Sequence, residues 1–482
     1  MRIAIKATRE TDCVCDVLIL PFIEEGSNPY RKLKPSLSRL VARVWNHEFS
    51  GKKQEVLLVP APEDIKPERI LFLGLGKKEA VCPEQMRQAG GKALAYLRDL
   101  GLQRPALSTI LVTGLKLSPA DFVEGALLGL YQYEKYRSEK QGKKVAALAV
   151  LDRTSRELRR DIKRVETLAA AVMFARDLVN APANEMTPAG LARVAVSLKR
   201  KALSVKVLEK KELEKLGMGA YLAISYGSAE PPKFIVLEYK GSRKPPVVLI
   251  GKSITFDSGG LSLKPSDNME KMKYDMAGGA AVLGVMKAAA ELKLPVHLVG
   301  LLPATENLPG GCATRPGDVV RSMSGKTVEI VNTDAEGRLA LADALTYAKR
   351  FNPAAVIDIA TLTGACAVAF GGEAVAMMGN DKRLLDAVRK SGENTYERVW
   401  EMPLFEEYKE YLKSDIADMR NVGTRIGSLM ASAYFLYEFA GQTPWVHLDI
   451  AGTAWIEKDR PYLPKGASGI GVRLIYDIIE KR

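Results

Sequence analysis

Three short stretches of the chain set acidic side chains beside glycines at the ends of apolar runs. VVLIGKSITFDSGG carries Lys252 and Asp257, KMKYDMAGGAA carries Asp275, and VEIVNTDAEGRLALADAL carries Asp334 and Glu336. VVLIG and VEIV read as strands and LALADAL as a helix, so the acids fall where strands give way to helices. Open α/β sheets place their ligands at such strand ends. A carboxylate pair at i and i+2 in a loop can converge on one point, and a hard divalent cation needs oxygen ligands of that kind. Each acid alone suits a humbler role, Asp275 and Asp334 as helix N-caps and Asp257 as a turn residue. Three such segments within 85 residues, each beside small residues that permit close approach, favour a metal site.

Other chemistries are poorly served. The chain has three histidines, and His47-Glu48 continues as Phe49-Ser50-Gly51, so the helical H-E-x-x-H zinc motif is missing. No G-x-S-x-G occurs; the nearest stretch, Gly466-Ala467-Ser468-Gly469, runs into Ile470. His447, inside the apolar run WVHLDI, reads as a core histidine. Gly251-Lys252-Ser253 looks like the end of a P-loop, but Pro246 stands where that loop needs glycine.

The motifs themselves carry a resemblance. Gly251-Lys252-x-Ile254-Thr255-Phe256-Asp257-Ser258-Gly259-Gly260, then Met272-x-x-Asp275-Met276, then the octapeptide Asn332-Thr333-Asp334-Ala335-Glu336-Gly337-Arg338-Leu339 resemble the leucine aminopeptidase family of dinuclear metallopeptidases. LVNAPANEMTP, ENLPGGCATRPGDV, DIATLTGA and SDIADMRNVG extend the match through the C-terminal part, and more loosely it reaches the N-terminal part. The chain departs from the family at Ser253, where glycine or alanine is usual, without losing a ligand type.

Carried over position by position, the resemblance implies a tighter metal held by Lys252, Asp257, Asp275 and Glu336, and a more exchangeable one held by Asp257, Asp334 and Glu336. The ions would be Zn²⁺ or Mn²⁺. Lys264 and Arg338 would be the catalytic pair, Arg338 holding a bicarbonate as general base. A substrate pocket near Met272, Thr361, Gly364 and Ala451 would take leucine-like side chains. Elementary chemistry agrees with these roles. A lysine ligates only when neutral, and removing its proton at neutral pH costs roughly 4–5 kcal/mol, which coordination must supply. Excess positive charge on two such ions acidifies a bridging water into a nucleophile. An ammonium at Lys264 can stabilise the alkoxide that follows. Another two-metal hydrolase, such as a phosphatase, is the competing enzyme reading.

Positioning these groups requires a sizeable scaffold. At 482 residues, with 47% hydrophobic and 26% charged residues, the chain is expected to form two globular domains. Residues 1–165 alternate apolar β-rich runs (CDVLILPFI, QEVLLVPA, RILFLGLG, STILVTGL, AALAVLD) with helical stretches (PEQMRQAGGKALAYLRDLG, SPADFVEGALLGLYQYEKYRSE), and so read as a smaller α/β domain. Residues 166–482 read as the catalytic α/β domain. Their near-continuous apolar runs FIVLEY, PVVLIG, VHLVGLLPA, AAVIDIATLTG and VHLDIAG predict a central, mostly parallel sheet covered on both faces. Five scattered cysteines read as reduced thiols, and the charged N-terminus MRIAIKATRETD lacks a signal-peptide pattern, so a cytoplasmic location without membrane association is expected.

Net charge is +13, and residues 1–160 hold 28 Lys+Arg against 19 Asp+Glu, leaving only +4 for the rest. Lys135, Arg137, Lys140, Lys143, Lys144, Arg153, Arg156, Arg159, Arg160, Lys163 and Arg164 concentrate the excess. A solvated face explains this, and so does a phosphate-binding surface. DNA is therefore a candidate partner, bound electrostatically and with little sequence preference. The family resemblance adds a homohexamer.

Overall fold

In the computed structural model, which describes residues 1–482 except 27, 46, 140, 141 and 154, the chain divides into two compact units. Lys140 of the basic region lies outside the described residues. One unit comprises Met1–Ala170 with Lys458–Lys465, the other Ala171–Glu457 with Gly466–Arg482. The division falls within the helix Arg156–Asn180, which begins inside the basic region. Residues 458–465, expected with the second domain, pack in the first unit. The Tyr462 hydroxyl donates to both Glu84 carboxylate oxygens at 3.0 and 2.9 Å, and the Pro461 carbonyl sits where a Cβ on Gly91 would fall.

The first unit is built on a six-stranded sheet in the order Arg2–Lys6, Ala147–Leu151, Pro105–Ser108, Val17–Glu24, Arg69–Lys77, Val56–Pro60. All its pairings are parallel except the last. Val17–Glu24 lies mid-sheet, and its first six residues are buried, which is why VLILPF reads as an unbroken apolar run. Two of the expected elements differ. STILVTGL is not a strand: Pro105–Ser108 ends the β-run and Ile110–Gly114 turns into a short helix. Thr109 directs the change, its hydroxyl donating to the Leu151 carbonyl while its own carbonyl accepts from the Thr113 backbone N–H and hydroxyl. Local hydrogen bonds thus override β-propensity. The helix expected from Ser118 into the tyrosine-rich segment ends at Gly129.

The second unit carries a nine-stranded sheet whose centre is four parallel strands, Trp445–Asp449, Ala355–Ala360, Val247–Gly251 and His297–Asn307 in that spatial order. Antiparallel neighbours flank them, Lys233–Lys240 on one side and Val375–Gly379 on the other. Helices Ala277–Leu292, Glu336–Ala348 and Ser428–Ala440 cover the sheet, each burying more than half of its residues and Glu336–Ala348 all but one. This is the α/β architecture expected, with a central, mostly parallel sheet. His447 is fully buried, its Nδ1 bonded to Asp358, which also accepts from Trp445 Nε1 at 2.6 Å. It serves the core. Among the described residues no helix is long and apolar enough to cross a membrane.

Candidate metal centre

Lys252 stands where the sheet splits. Val247–Gly251 pairs with strands on both sides, whereas Ser253–Asp257 pairs only with His297–Asn307, through a register shift between Ile254 and Phe256. The backbone N–H of Lys252 still donates to Ile359 and its carbonyl accepts from Gly279, so the main chain is fixed while the side chain enters the gap between strands. There Nζ lies 2.7 Å from Glu336 Oε1 and 2.9 Å from the Thr361 carbonyl. It also meets Asp275 Oδ2 at 2.8 Å, an ion pair without hydrogen-bond alignment. Gly337 makes this approach feasible, since a Cβ there would come 2.6 Å from Lys252 Cε.

Neither Asp275 nor Asp334 caps a helix. Asp275 closes a 3₁₀ turn, Met269–Met276, and the following helix is capped by Met276. Asp334 lies one residue before Ala335, the N-cap of Glu336–Ala348, and neither cap residue uses its side chain. Both carboxylates are thereby left to face the cleft. Asp257 does make the expected local turn, with Oδ1 accepting from Gly259 N–H at 2.9 Å, but Oδ2 reaches Lys264 Nζ at 2.7 Å. Lys264 also pairs with Asp334. Carboxylate oxygens of Asp257, Asp334 and Glu336 come within 4.8 Å of one another.

The electrostatics follow from crowding acids in a buried place. Burial, reinforced by neighbouring carboxylates, pushes Asp275, Asp334 and Glu336 up from the ordinary carboxyl range. Burial also works against the two ammonium groups, but the surrounding carboxylates outweigh it and hold Lys252 and Lys264 above an ordinary lysine. Arg338 is pushed down to about 10 by burial, with Glu336 opposing. Four carboxylates against two ammonium groups and the Arg338 guanidinium leave an unbalanced negative charge, and among the described residues Glu336 Oε2 is buried with no hydrogen-bond partner. A divalent cation that displaced the Lys252 proton would answer both deficits, so the donor set fits a metal.

The cluster floors a cleft of about 600 Å³. Met272, Thr361, Gly364 and Ala451, the expected substrate-pocket residues, all line it, as do Lys264 and Arg338. Thr361 does more than line the wall: its hydroxyl donates to Asp275 Oδ1 at 2.7 Å. Arg338 Nη1 donates to the Asn421 carbonyl at 2.8 Å, while its Nε is buried without a hydrogen-bond partner among the described residues. Two supporting residues escaped the sequence reading. Asn307 Nδ2 donates to Asp257 Oδ1 at 2.8 Å and to the Thr333 carbonyl at 3.0 Å, tying two acidic loops together. Asn421 braces the third segment, its Nδ2 donating to Asn332 O at 2.7 Å and its Oδ1 accepting from Val331 N–H at 2.9 Å. Each follows an apolar or mixed run closely enough to pass for a turn residue, and only the fold brings it to the acids.

Residues 173–476 match the cytosol aminopeptidase family catalytic domain, and residues 28–140 match the N-terminal domain of the same family. A probable cytosol aminopeptidase of Geobacter sp. (strain M21) is 46% identical over the full length of both chains, and one of Geobacter sulfurreducens is 47% identical over 92% of this chain and 90% of its own. Among solved structures, a mutant of tomato leucine aminopeptidase aligns with a TM-score of 0.89 at 33% identity, covering 100% of this chain and 97% of that one. The bottromycin maturation enzyme BotP in complex with Mn aligns with a TM-score of 0.87 at 34% identity, covering 97% and 99%. The chain belongs to the cytosol aminopeptidase family of metal-dependent peptidases.

Proposed function

We propose that the chain releases N-terminal residues from peptides, favouring leucine-like side chains, with two divalent ions, Zn²⁺ or Mn²⁺, at the acidic cluster. The observation that carries this reading is the convergence of Asp257, Asp334 and Glu336 beside buried Lys252 at the floor of an open cleft. Lys252, Asp257, Asp275 and Glu336 would hold one ion; Asp257, Asp334 and Glu336 would hold the other. When bound, the ions supply Lewis acidity and a nucleophile at neutral pH by lowering the pKa of water. The chain's own groups do the rest. Met272, Gly364 and Ala451 offer an apolar wall to the first side chain, which fixes the scissile carbonyl near Lys264. Lys264, held on the cleft side by Asp257 and Asp334, donates to the oxyanion that develops on that carbonyl. Arg338, whose Nε has no hydrogen-bond partner among the described residues, suits a small anion such as bicarbonate acting as proton acceptor.

The test loads the purified chain with Zn²⁺ or Mn²⁺ and offers it leucyl-p-nitroanilide and p-nitrophenyl phosphate. Turnover of the anilide is expected, and turnover of the phosphate ester instead would favour a phosphatase. Glu336→Ala should abolish anilide turnover and reduce bound metal from about two ions per chain. Two ions still bound in that variant would sink the ligand assignment. Membership of the family also leads us to propose a cytoplasmic homohexamer, checked by analytical ultracentrifugation.

A second reading, additional to the first, is DNA binding. Arg153, Arg156, Arg159, Arg160 and Lys163 are all exposed at and just before the start of Arg156–Asn180. Filter binding to duplex DNA should then weaken linearly in log K against log[salt], and changing Arg156, Arg159 and Arg160 to Gln should flatten the slope. No retention at about 50 mM salt would leave the region as a solubility feature.

A further inference from the structure

The cleft contains a cation that the chemistry above does not use. Lys252 and Lys264 are committed to the acidic cluster, and Arg338 is buried and bonded to Asn421. Arg425 also lines the cleft, is exposed, and has no ion-pair partner among the described residues. Asp267, the other exposed charge of the cleft lining, does not pair with it.

The position of Arg425 is constrained from both sides. Four residues earlier, Asn421 is pinned to the floor of the site by Arg338 and by Val331 and Asn332. Two residues later, Gly427 takes φ +69°, and a Cβ there would lie 3.1 Å from the Tyr411 ring. Across Arg425 itself, the Thr424 hydroxyl donates to the Ile426 carbonyl at 2.8 Å. Four residues of chain span at most about 14 Å, so the Arg425 backbone lies within about that distance of Asn421. An extended peptide advances about 3.3 Å per residue. A substrate whose first peptide bond lies at the acidic cluster carries the groups one to three residues further along within about 10 Å of it, inside that span. A guanidinium there, with its donors unspent, is complementary to a carboxylate.

We propose that Arg425 is the recognition group for a carboxylate on the leaving-group side of the scissile bond, which makes short peptides with a free C-terminus, or peptides with an acidic residue after the first, the favoured substrates. This inference rests on the aminopeptidase reading. Because the group is exposed, its effect is that of a rim ion pair, about two- to fivefold in kcat/KM, and it shrinks near 1 M salt, where screening acts within about 3 Å.

The experiment compares kcat/KM of the metal-loaded full chain on Leu-Gly and Leu-Gly-Gly, on their C-terminal amides, on Leu-Glu-amide against Leu-Gln-amide, and on leucyl-p-nitroanilide. The free acids should exceed their amides about two- to fivefold, and Arg425→Gln should bring that ratio to about one, with Arg425→Lys between. A matching ratio for Leu-Glu-amide over Leu-Gln-amide would assign the preference to side-chain carboxylates as well as the C-terminus; its absence would restrict it to the C-terminus. Acid-to-amide and Glu-to-Gln ratios all near one in the unmodified chain, or ratios unchanged in Arg425→Gln, would overturn the proposal. Anilide turnover accompanying such ratios would keep the aminopeptidase reading intact, whereas no turnover of any substrate would overturn both.

Discussion

Removing the Asn307 carboxamide should weaken metal binding without dismantling the fold. Asn307 is 4% exposed and sits at the end of the strand His297–Asn307. Its Nδ2 makes one bond to a carboxylate, Asp257, and one to a backbone carbonyl, Thr333. The amide orientation is set by Gly260 as well: at φ +68° and without a Cβ, it leaves room for Asn307 Oδ1, which would lie 2.8 Å from such an atom. A charge-assisted bond contributes about 1.5–3 kcal/mol and a neutral one about 0.5–1.5 kcal/mol. In Asn307→Ala both are lost, but the metal-free fold keeps Asp257 tied to Lys264 and Gly259, so only part of the loss falls on metal binding. That part corresponds to a 10- to 100-fold weaker metal affinity, the usual effect of removing a group that orients a ligand. Competition against a fluorescent chelator with Mn²⁺ measures it directly, and thermal unfolding of metal-free protein measures the structural cost separately. An affinity within about twofold of the unmodified chain, below the smallest loss this bond allows, would refute the reasoning.

Three further outcomes follow from the same geometry. Lys252→Arg keeps the charge but cannot ligate, so metal content and peptidase activity should fall together, as read by atomic absorption and anilide turnover. Lys264→Ala should keep its metal while kcat drops on the order of 10²–10³-fold, the cost of one oxyanion donor; normal turnover would remove Lys264 from the mechanism. Away from the site, Asp343 is held by the backbone N–H groups of Tyr221 and Met323 at 2.9 and 2.7 Å, yet burial pushes its carboxyl up to about 7. Because the folded value lies above the unfolded one, the stability it confers is complete at pH 4 and below and is lost as pH rises through about 7. The melting temperature of the unmodified chain should therefore fall between about pH 4 and 7 more steeply than that of Asp343→Asn, and equal slopes would contradict the assignment.

The chain's local patterns carried a good deal of this on their own. Unbroken apolar runs such as PVVLIG and AAVIDIA announce strands buried on both faces, because a central parallel strand has no solvent side to fill with polar residues. Thr187-Pro188 announces a helix start, and the Thr187 hydroxyl does accept from Gly190 N–H at 3.1 Å. The acidic segments were legible because glycine, small residues and carboxylates at strand ends are a composition that ordinary turns rarely require three times over. Where the linear reading failed, the cause was a contact from elsewhere in the chain. STILVTGL has the composition of a strand, but Thr109 finds the Leu151 carbonyl forty-two residues away and the run turns helical. Residues 458–465 carry no sign of which unit they join until Tyr462 meets Glu84, 378 residues earlier. Likewise Lys252, Asp275 and Glu336 are separate motifs in the sequence, and the order of their strands and helices alone could not give the 2.7 and 2.8 Å separations at the Lys252 ammonium. Asn307, Asn421 and Arg425 belong to the same class. A side chain's donors and acceptors are written in its residue type, but the partners that use them are brought within about 3 Å only by packing, which couples segments that the sequence holds far apart.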